Sequence, residues 1–447
     1  MKRFNPTTDQ PGQATGTFDM KPSTAFVMLA AFVVGAVAGA GAQLLKWLVA
    51  NISHLVVMGM NPAEWNLRLL FLPVVGVVAA ACWQRYLIKR PVSHGVERLK
   101  RDLAARRPLL PLSLSISPIV TAAMTLGCGG SAGTEGPIAY ASSAIGSNVA
   151  RRCGFTRQHI MMFAALGAGA GIASIFKAPI GGFFFTIEVI GLSMGVTQMI
   201  ALGVACLSGG MTAWMLSGGT YDIAFPTISD FDFGDLPMVV FLGIACGAYS
   251  CYYNVVMNRV TQWLGQIRNH WVKNFVAGGA IGALVMLLPA LYGEGYGVIG
   301  EVLSGHTAAM WAYGPLAHMA CGEWAPVLVA ALIITVKAWA TASTTSGGGV
   351  AGDFAPAIFA GCIAGFFFAS VLNLSLGLSL PAGNFAFYGM AAVLAGTARA
   401  PLMAIFLIVE MTGTYQLLMP VACAGGVSYL TTVALTNIYA GRLTSRT

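Results

Sequence analysis

The chain has 447 residues, of which 57% are hydrophobic and only 9% charged. A soluble domain carries about 25% charged residues, so this composition excludes an ordinary water-soluble protein and points to a polytopic membrane protein. The net charge of +8 sits in short clusters between apolar runs, a pattern that reads as membrane topology in preference to nucleic-acid binding.

Residues 1–23 are polar and lie ahead of the first long apolar run; a signal peptide would place its apolar region nearer the start, so they read as a short cytoplasmic leader. Apolar periodicity predicts helices over 24–50, 67–88, 110–126, 137–150, 159–174, 178–193 and 196–217. The acidic segment 218–236, with Asp222, Asp230, Asp232 and Asp235, reads as an external linker. Further helices follow over 237–260, 272–292, 325–343, 356–376, 385–397, 401–412 and 418–437, and residues 441–447 read as a cytoplasmic tail. Several of these are too short to cross a hydrocarbon core of about 30 Å at roughly 1.5 Å per residue, so they are expected to be partial spans broken by Gly and Pro.

Basic clusters fix the expected orientation. Arg85 to Arg107 carry eight basic residues in one loop, Arg151, Arg152 and Arg157 crowd another, and Arg442 and Arg446 end the chain. Short loops rich in Lys and Arg stay in the cytoplasm, which puts both termini inside. The nine cysteines are scattered and form no CxxC, and there is no HExxH, so no disulfide, metal or cofactor is expected. A membrane-embedded enzyme is not expected either.

One unit occurs twice. Gly133-Thr134-Glu135-Gly136-Pro137 opens an apolar run, with Ala178-Pro179 downstream and Glu188 nine residues past that proline. Gly352-Asp353-Phe354-Ala355-Pro356 opens another, with Ala400-Pro401 downstream and Glu410 nine residues past its proline. The expected architecture is therefore all-α, with two membrane repeats, 24–217 and 237–440, in inverted topology. Proline in the first helical turn, preceded by glycine, leaves backbone N–H groups unpaired at the positive end of the helix dipole. Two such termini aimed at one point make an anion site without a fixed full charge, suited to an ion that must also leave. Glu135 sits in this site as a carboxylate that competes with the anion: bound, it is a tethered anion; swung aside or protonated, it admits one. The other reading is a structural acid satisfied by its own helix terminus.

These residues resemble the CLC family of chloride channels and chloride/proton exchangers. Gly133 to Pro137 looks like its Gly-Lys/Arg-Glu-Gly-Pro motif, and Gly352 to Pro356 resembles its Gly-x-Phe-x-Pro motif. Val92-Ser93-His94-Gly95-Val96-Glu97 is more loosely similar to Gly-Ser-Gly-Ile-Pro-Glu, and Asn437-Ile438-Tyr439 to the tyrosine segment near the end of the membrane domain. The resemblance is to the prokaryotic type, and implies a homodimer in the lipid bilayer of a bacterial inner membrane, with a chloride pathway in each subunit. It implies Glu135 as gating glutamate, backbone N–H groups around Asp353 and Phe354 for the central ion and around Glu135 and Gly136 for the outer one, and the hydroxyls of Ser93 and Tyr439 at the inner mouth. For Ser93 the alternative is an ordinary loop serine, and for Tyr439 an interfacial belt tyrosine.

The chain departs from the family pattern at four places. Thr134 replaces the Lys or Arg; the Ser93 motif lacks its second glycine and its proline; Asp353 stands at an apolar position, with Lys337 as a candidate partner; and Val189 occupies the place of the exchangers' inner proton glutamate. Val189 favours channel-like conduction, with chloride/proton antiport as the alternative and a cation-coupled transporter third. Glu188 and Glu410, at equivalent repeat positions, read as acids bonding nearby helix termini; Glu188 as a proton relay is the second reading.

Overall fold

The computed structural model describes residues 23–58, 67–88, 95–104, 110–192, 194–223, 229–310 and 322–444. Among them are sixteen α-helices and no β-strand. Among the described residues, nine helical stretches are long and apolar enough to cross a membrane, and shorter apolar helices include Pro401–Thr412.

The first half contains α1 (Thr24–Val57), α2 (Arg68–Cys82), α3 (Gly95–Ala104), α4 (Ser117–Gly127), α5 (Glu135–Arg152), α6 (Arg157–Phe176), α7 (Pro179–Phe184) and α8 (Val196–Leu216). The second contains α9 (Leu236–Gly265), α10 (His270–Leu287), α11 (Tyr296–Leu303), α12 (Ala325–Ser346), α13 (Phe354–Leu376), α14 (Ala382–Ala398), α15 (Pro401–Thr412) and α16 (Leu418–Thr444). Three of these differ from expectation. Part of the basic 85–107 loop folds as α3, because Val96, Leu99 and Leu103 share one helical face and the helix packs on α5; Leu99 and Leu103 are buried. The short α11 has no counterpart among the expected helices, because Gly295 and Gly297 bracket its start and read as a turn. The predicted helix over 178–193 continues past α7 as a π-turn over Phe185–Ile190 and stops at Gly191, which has φ +71°.

The repeat recurs in three dimensions. α5 packs on α6 as α13 packs on α14, and close approach sets both contacts: a side chain on Gly361 would strike the Gly389 carbonyl, and one on Gly146 the Phe163 carbonyl. α6 and α14 end in the same turn. Lys177 (φ 53°) and Arg399 (φ 54°) are the two non-glycine residues with positive φ among the described residues, and each precedes an Ala-Pro pair that starts the next helix. Proline at that position sacrifices no hydrogen bond.

Across the repeat interface α7 and α15 pack together and exchange caps. Glu188 accepts from Leu402 N (3.2 Å) and Met403 N (2.8 Å) at the start of α15. Glu410 accepts from Ile180 N (3.1 Å) and Gly181 N (2.8 Å) at the start of α7. Each carboxylate uses both oxygens on two consecutive amides and meets the positive end of the other repeat's helix. Phe184 stacks on Phe406 beside them, with ring centroids 5.2 Å apart.

Glu410 is 7% exposed, so Glu410→Ala would strand two amides with little water to replace the acceptor, at a cost of about 2–4 kcal/mol. The expected outcome is a clear fall in the apparent melting temperature of the detergent-solubilised protein. An unchanged melting temperature would show that the exchanged caps contribute nothing to stability.

Candidate functional site

The loops before α5 and α13 meet head to head. Gly133 N donates to the Gly352 carbonyl at 2.9 Å, and Gly352 N to the Gly133 carbonyl at 2.7 Å, an isolated antiparallel bridge. Each loop is also tied to the helix that precedes the other. Ser131 N donates to Thr344 Oγ1 on α12 (3.1 Å), and Val350 N to Thr125 Oγ1 on α4 (3.2 Å). The approach requires glycine: a Cβ on Gly352 would lie 2.7 Å from Gly136 N and collide with the Glu135 carboxylate.

Glu135 is completely buried. Its Oε1 accepts from Phe354 N at 2.5 Å and from Ala355 N at 3.3 Å. The carboxylate thus reaches across to the N-terminus of α13, in the other repeat. Its Oε2 is buried without a hydrogen-bond partner among the described residues. Phe354 is 6% exposed and sets its ring edge-on to Phe185, with centroids 6.0 Å apart. Gly136 is buried at the start of α5, against Gly352. An oxygen thus sits on the amides of Phe354 and Ala355 at a helix N-terminus, a place whose backbone donors suit an anion.

Asp353 is exposed while both its neighbours are buried. Lys337, its candidate partner from the sequence, turns elsewhere: its Nζ donates to Ser131 Oγ at 3.0 Å and lies 4.5 Å from the Phe359 ring centroid. The physical reason is helical register. Lys337 is fully buried on α12, behind the loop that carries Glu135, and not beside the cap of α13. The Phe359 ring face covers the amine there.

Thr134 is 1% exposed, and its donors are taken. Both Thr134 N (2.8 Å) and Thr134 Oγ1 (2.6 Å) donate to Glu294 Oε1. Sequence reasoning missed Glu294. The available signal was an acid between two glycines at the edge of apolar sequence, a combination that marks a functional candidate inside a membrane protein. Nearby, Asp222 pairs with Lys46 and, at 2.9 Å, with Lys177. Burial opposes the charge on Asp222, but the two ammonium groups hold its carboxyl below the usual carboxylate range. A pocket of about 360 Å³ opens here, lined by Lys46, Asp222, Tyr292, Glu294 and Tyr296.

The remaining sequence candidates do not join Glu135. Tyr439 is 64% exposed near the end of α16. Glu188 is engaged at α15, and Val189 is buried beside it in the π-turn. Ser93 and its neighbour His94 lie outside the described residues. Among the described residues no group of three or more His, Cys, Asp or Glu is placed to hold a metal ion.

Comparison with known proteins finds relatives over most of the chain. The family model for voltage gated chloride channels matches residues 75–433. A putative chloride channel protein, ClcB-like, of Ralstonia nicotianae is 27% identical over 393 residues, 87% of each chain. The voltage-gated ClC-type chloride channel ClcB of Shigella flexneri is 27% identical, covering 84% of this chain and 86% of its own. Among solved structures, a slow cyanobacterial Cl⁻/H⁺ antiporter superposes with a TM-score of 0.77 at 24% identity, over 93% of this chain and 96% of its own. A CLC-type fluoride/proton antiporter superposes with a TM-score of 0.74 at 20% identity, over 91% and 95%. The head-to-head glycine termini, the inverted pair of repeats and the match over most of the chain lead to one conclusion: this is an integral membrane protein that belongs to the CLC, or voltage-gated chloride channel, family.

Proposed function

We propose that the chain moves small anions, chloride first, along a pathway within each subunit, and that the Glu135 carboxylate is its gate. The observation that carries this reading is the pair of bonds from Phe354 N and Ala355 N to one Glu135 oxygen. A carboxylate and a chloride are alternative occupants of the same donors, so the ion passes only when the side chain leaves. The donors are backbone dipoles without a fixed full charge, which lets the site bind an anion and still release it. The amides near Glu135 and Gly136 form the outer part of the same pathway in this reading. The mouth bearing Asp222 faces outward, and the basic clusters and both termini face the cytoplasm of a bacterial inner membrane. The subunits pair as a homodimer, as family likeness suggests. Inner-mouth roles for Ser93 and Tyr439 belong to the proposal only as the motif resemblance supplies them; the exposure of Tyr439 favours its reading as a belt tyrosine.

Two couplings to protons are compatible with such a gate. Val189 stands where an exchanger's inner acid would be, and the neighbouring Glu188 is engaged by two amides, which occupies it as a clamp and not as a relay; this favours conduction without stoichiometric proton flow. The second reading, chloride/proton exchange, draws on two similar structures described as antiporters and on Glu135 itself, a buried acid able to carry a proton.

Glu135→Gln removes the competing charge while keeping the size of the side chain. Chloride efflux from proteoliposomes is expected to rise and to lose its dependence on acid pH; efflux unchanged in rate and in pH profile would remove Glu135 from the gate. A second measurement separates the couplings. With a chloride gradient imposed on wild-type proteoliposomes, conduction predicts chloride movement without a matching pH change, whereas stoichiometric proton movement would establish exchange.

A further inference from the structure

Four buried or half-buried acids at the helix termini divide into two kinds. Glu188 and Glu410 each hold two consecutive amides with two oxygens, one bond to each. Glu135 and Glu294 each gather two donors on a single oxygen, Oε1. The first arrangement matches the fork of a carboxylate and is a structural clamp. In the second, two donors converge on one point, which a monatomic anion can occupy as well as an oxygen can.

Glu294 has further features of a movable group on a fixed support. It is flanked by Gly293 (φ 64°) and Gly295 (φ 84°), both in the left-handed region that glycine adopts without strain. A Cβ on Gly295 would also fall 2.8 Å from Cε2 of Phe359. Tyr292 Oη donates to the Gly127 carbonyl at 2.7 Å, which pins the segment to the end of α4. The backbone is thereby held over the start of α5, and the freedom that remains lies in the side chain. The pocket of about 360 Å³ beside it gives that side chain somewhere to go, with Lys46 in its wall. The charged groups around Glu294 are Lys46 on α1, Asp222 and Lys177 behind it, Glu135 on α5 and Lys337 on α12.

We propose that Glu294 is a second gate: a carboxylate from the second repeat that occupies the amide and hydroxyl of Thr134 until an incoming anion displaces it into the Lys46 pocket. Thr134 N and Oγ1 then form an anion station ahead of the Glu135 site. This rests on the reading of Glu135 as the gate of an anion pathway. It also gives Thr134 a use: a neutral residue with two donors makes a site that a single carboxylate can close.

The test uses the purified full chain, with chloride affinity from titration calorimetry and chloride efflux from proteoliposomes, for Glu294→Gln, Glu294→Ala, Thr134→Val and Glu135→Gln. Removing the competitor in either Glu294 variant is expected to tighten chloride binding about tenfold, the scale of a charge-assisted hydrogen bond in affinity. Thr134→Val is expected to weaken binding strongly in the Glu294→Gln background and little in the wild type, where Glu294 already masks the hydroxyl; a merely structural cap would not produce that coupling. Unchanged or weakened binding in both Glu294 variants, with Glu135→Gln still altering efflux, overturns the second gate and leaves the pathway intact. If Glu135→Gln also leaves efflux unaltered, the pathway reading fails and the second gate falls with it.

Discussion

Two helix N-termini that face each other in a low-dielectric interior need negative charge between them. Each terminus leaves backbone N–H groups unpaired at the positive end of a dipole, and hydrocarbon supplies no water to satisfy them. In this protein an oxygen of Glu135 takes that place, reaching across to the amides of Phe354 and Ala355. Much of the surrounding structure serves that meeting. The Gly133–Gly352 bridge sets the separation of the two loops, and Thr125 and Thr344 brace each loop from the opposite repeat. Glycine is required because any Cβ at Gly352 would displace the carboxylate. Farther out, the caps exchanged by Glu188 and Glu410 lock the repeats together, so that the distance between the two termini is held by more than the loops themselves.

The same constraint links structure to transport. In the proposed pathway, a carboxylate held only by the backbone donors of a helix terminus can give way to an anion, because such donors recognise charge and position and carry no further chemistry. In that proposal the site is closed by its own carboxylate and open when the carboxylate is gone. Lys337, buried behind the Glu135 loop and held by Ser131 and the Phe359 ring, braces this part of the protein without touching the donors themselves.

What the sequence disclosed follows from which signals are local. The repeated Gly-x-x-x-Pro segments, the Ala-Pro helix starts and the glutamates nine residues beyond them are written in short spacings, and they led to the fold class, the paired termini and the position of Glu135 between them. The shape of α3 was hidden because eight basic residues masked the apolar face formed by Val96, Leu99 and Leu103. Glu294 was hidden for a different reason: its partner, Thr134, lies 160 residues away, and nothing in the local sequence announces that contact. Lys337 was paired with Asp353 by nearness in sequence, whereas helical register aims it at Ser131, 206 residues away. Pairings across an inverted repeat are long-range by construction, so composition and periodicity name the participants without naming who meets whom.

Everything proposed for transport turns on whether the Glu135 carboxylate occupies an anion's place at the start of α13. The most direct measurement is the crystal structure of the Glu135→Gln variant grown with bromide, read by anomalous scattering. A bromide peak is expected within hydrogen-bonding distance of Phe354 N and Ala355 N, where Glu135 Oε1 lies in the wild type. Bromide bound elsewhere in the pathway, with those two amides vacant or still capped by the substituted side chain, would contradict it.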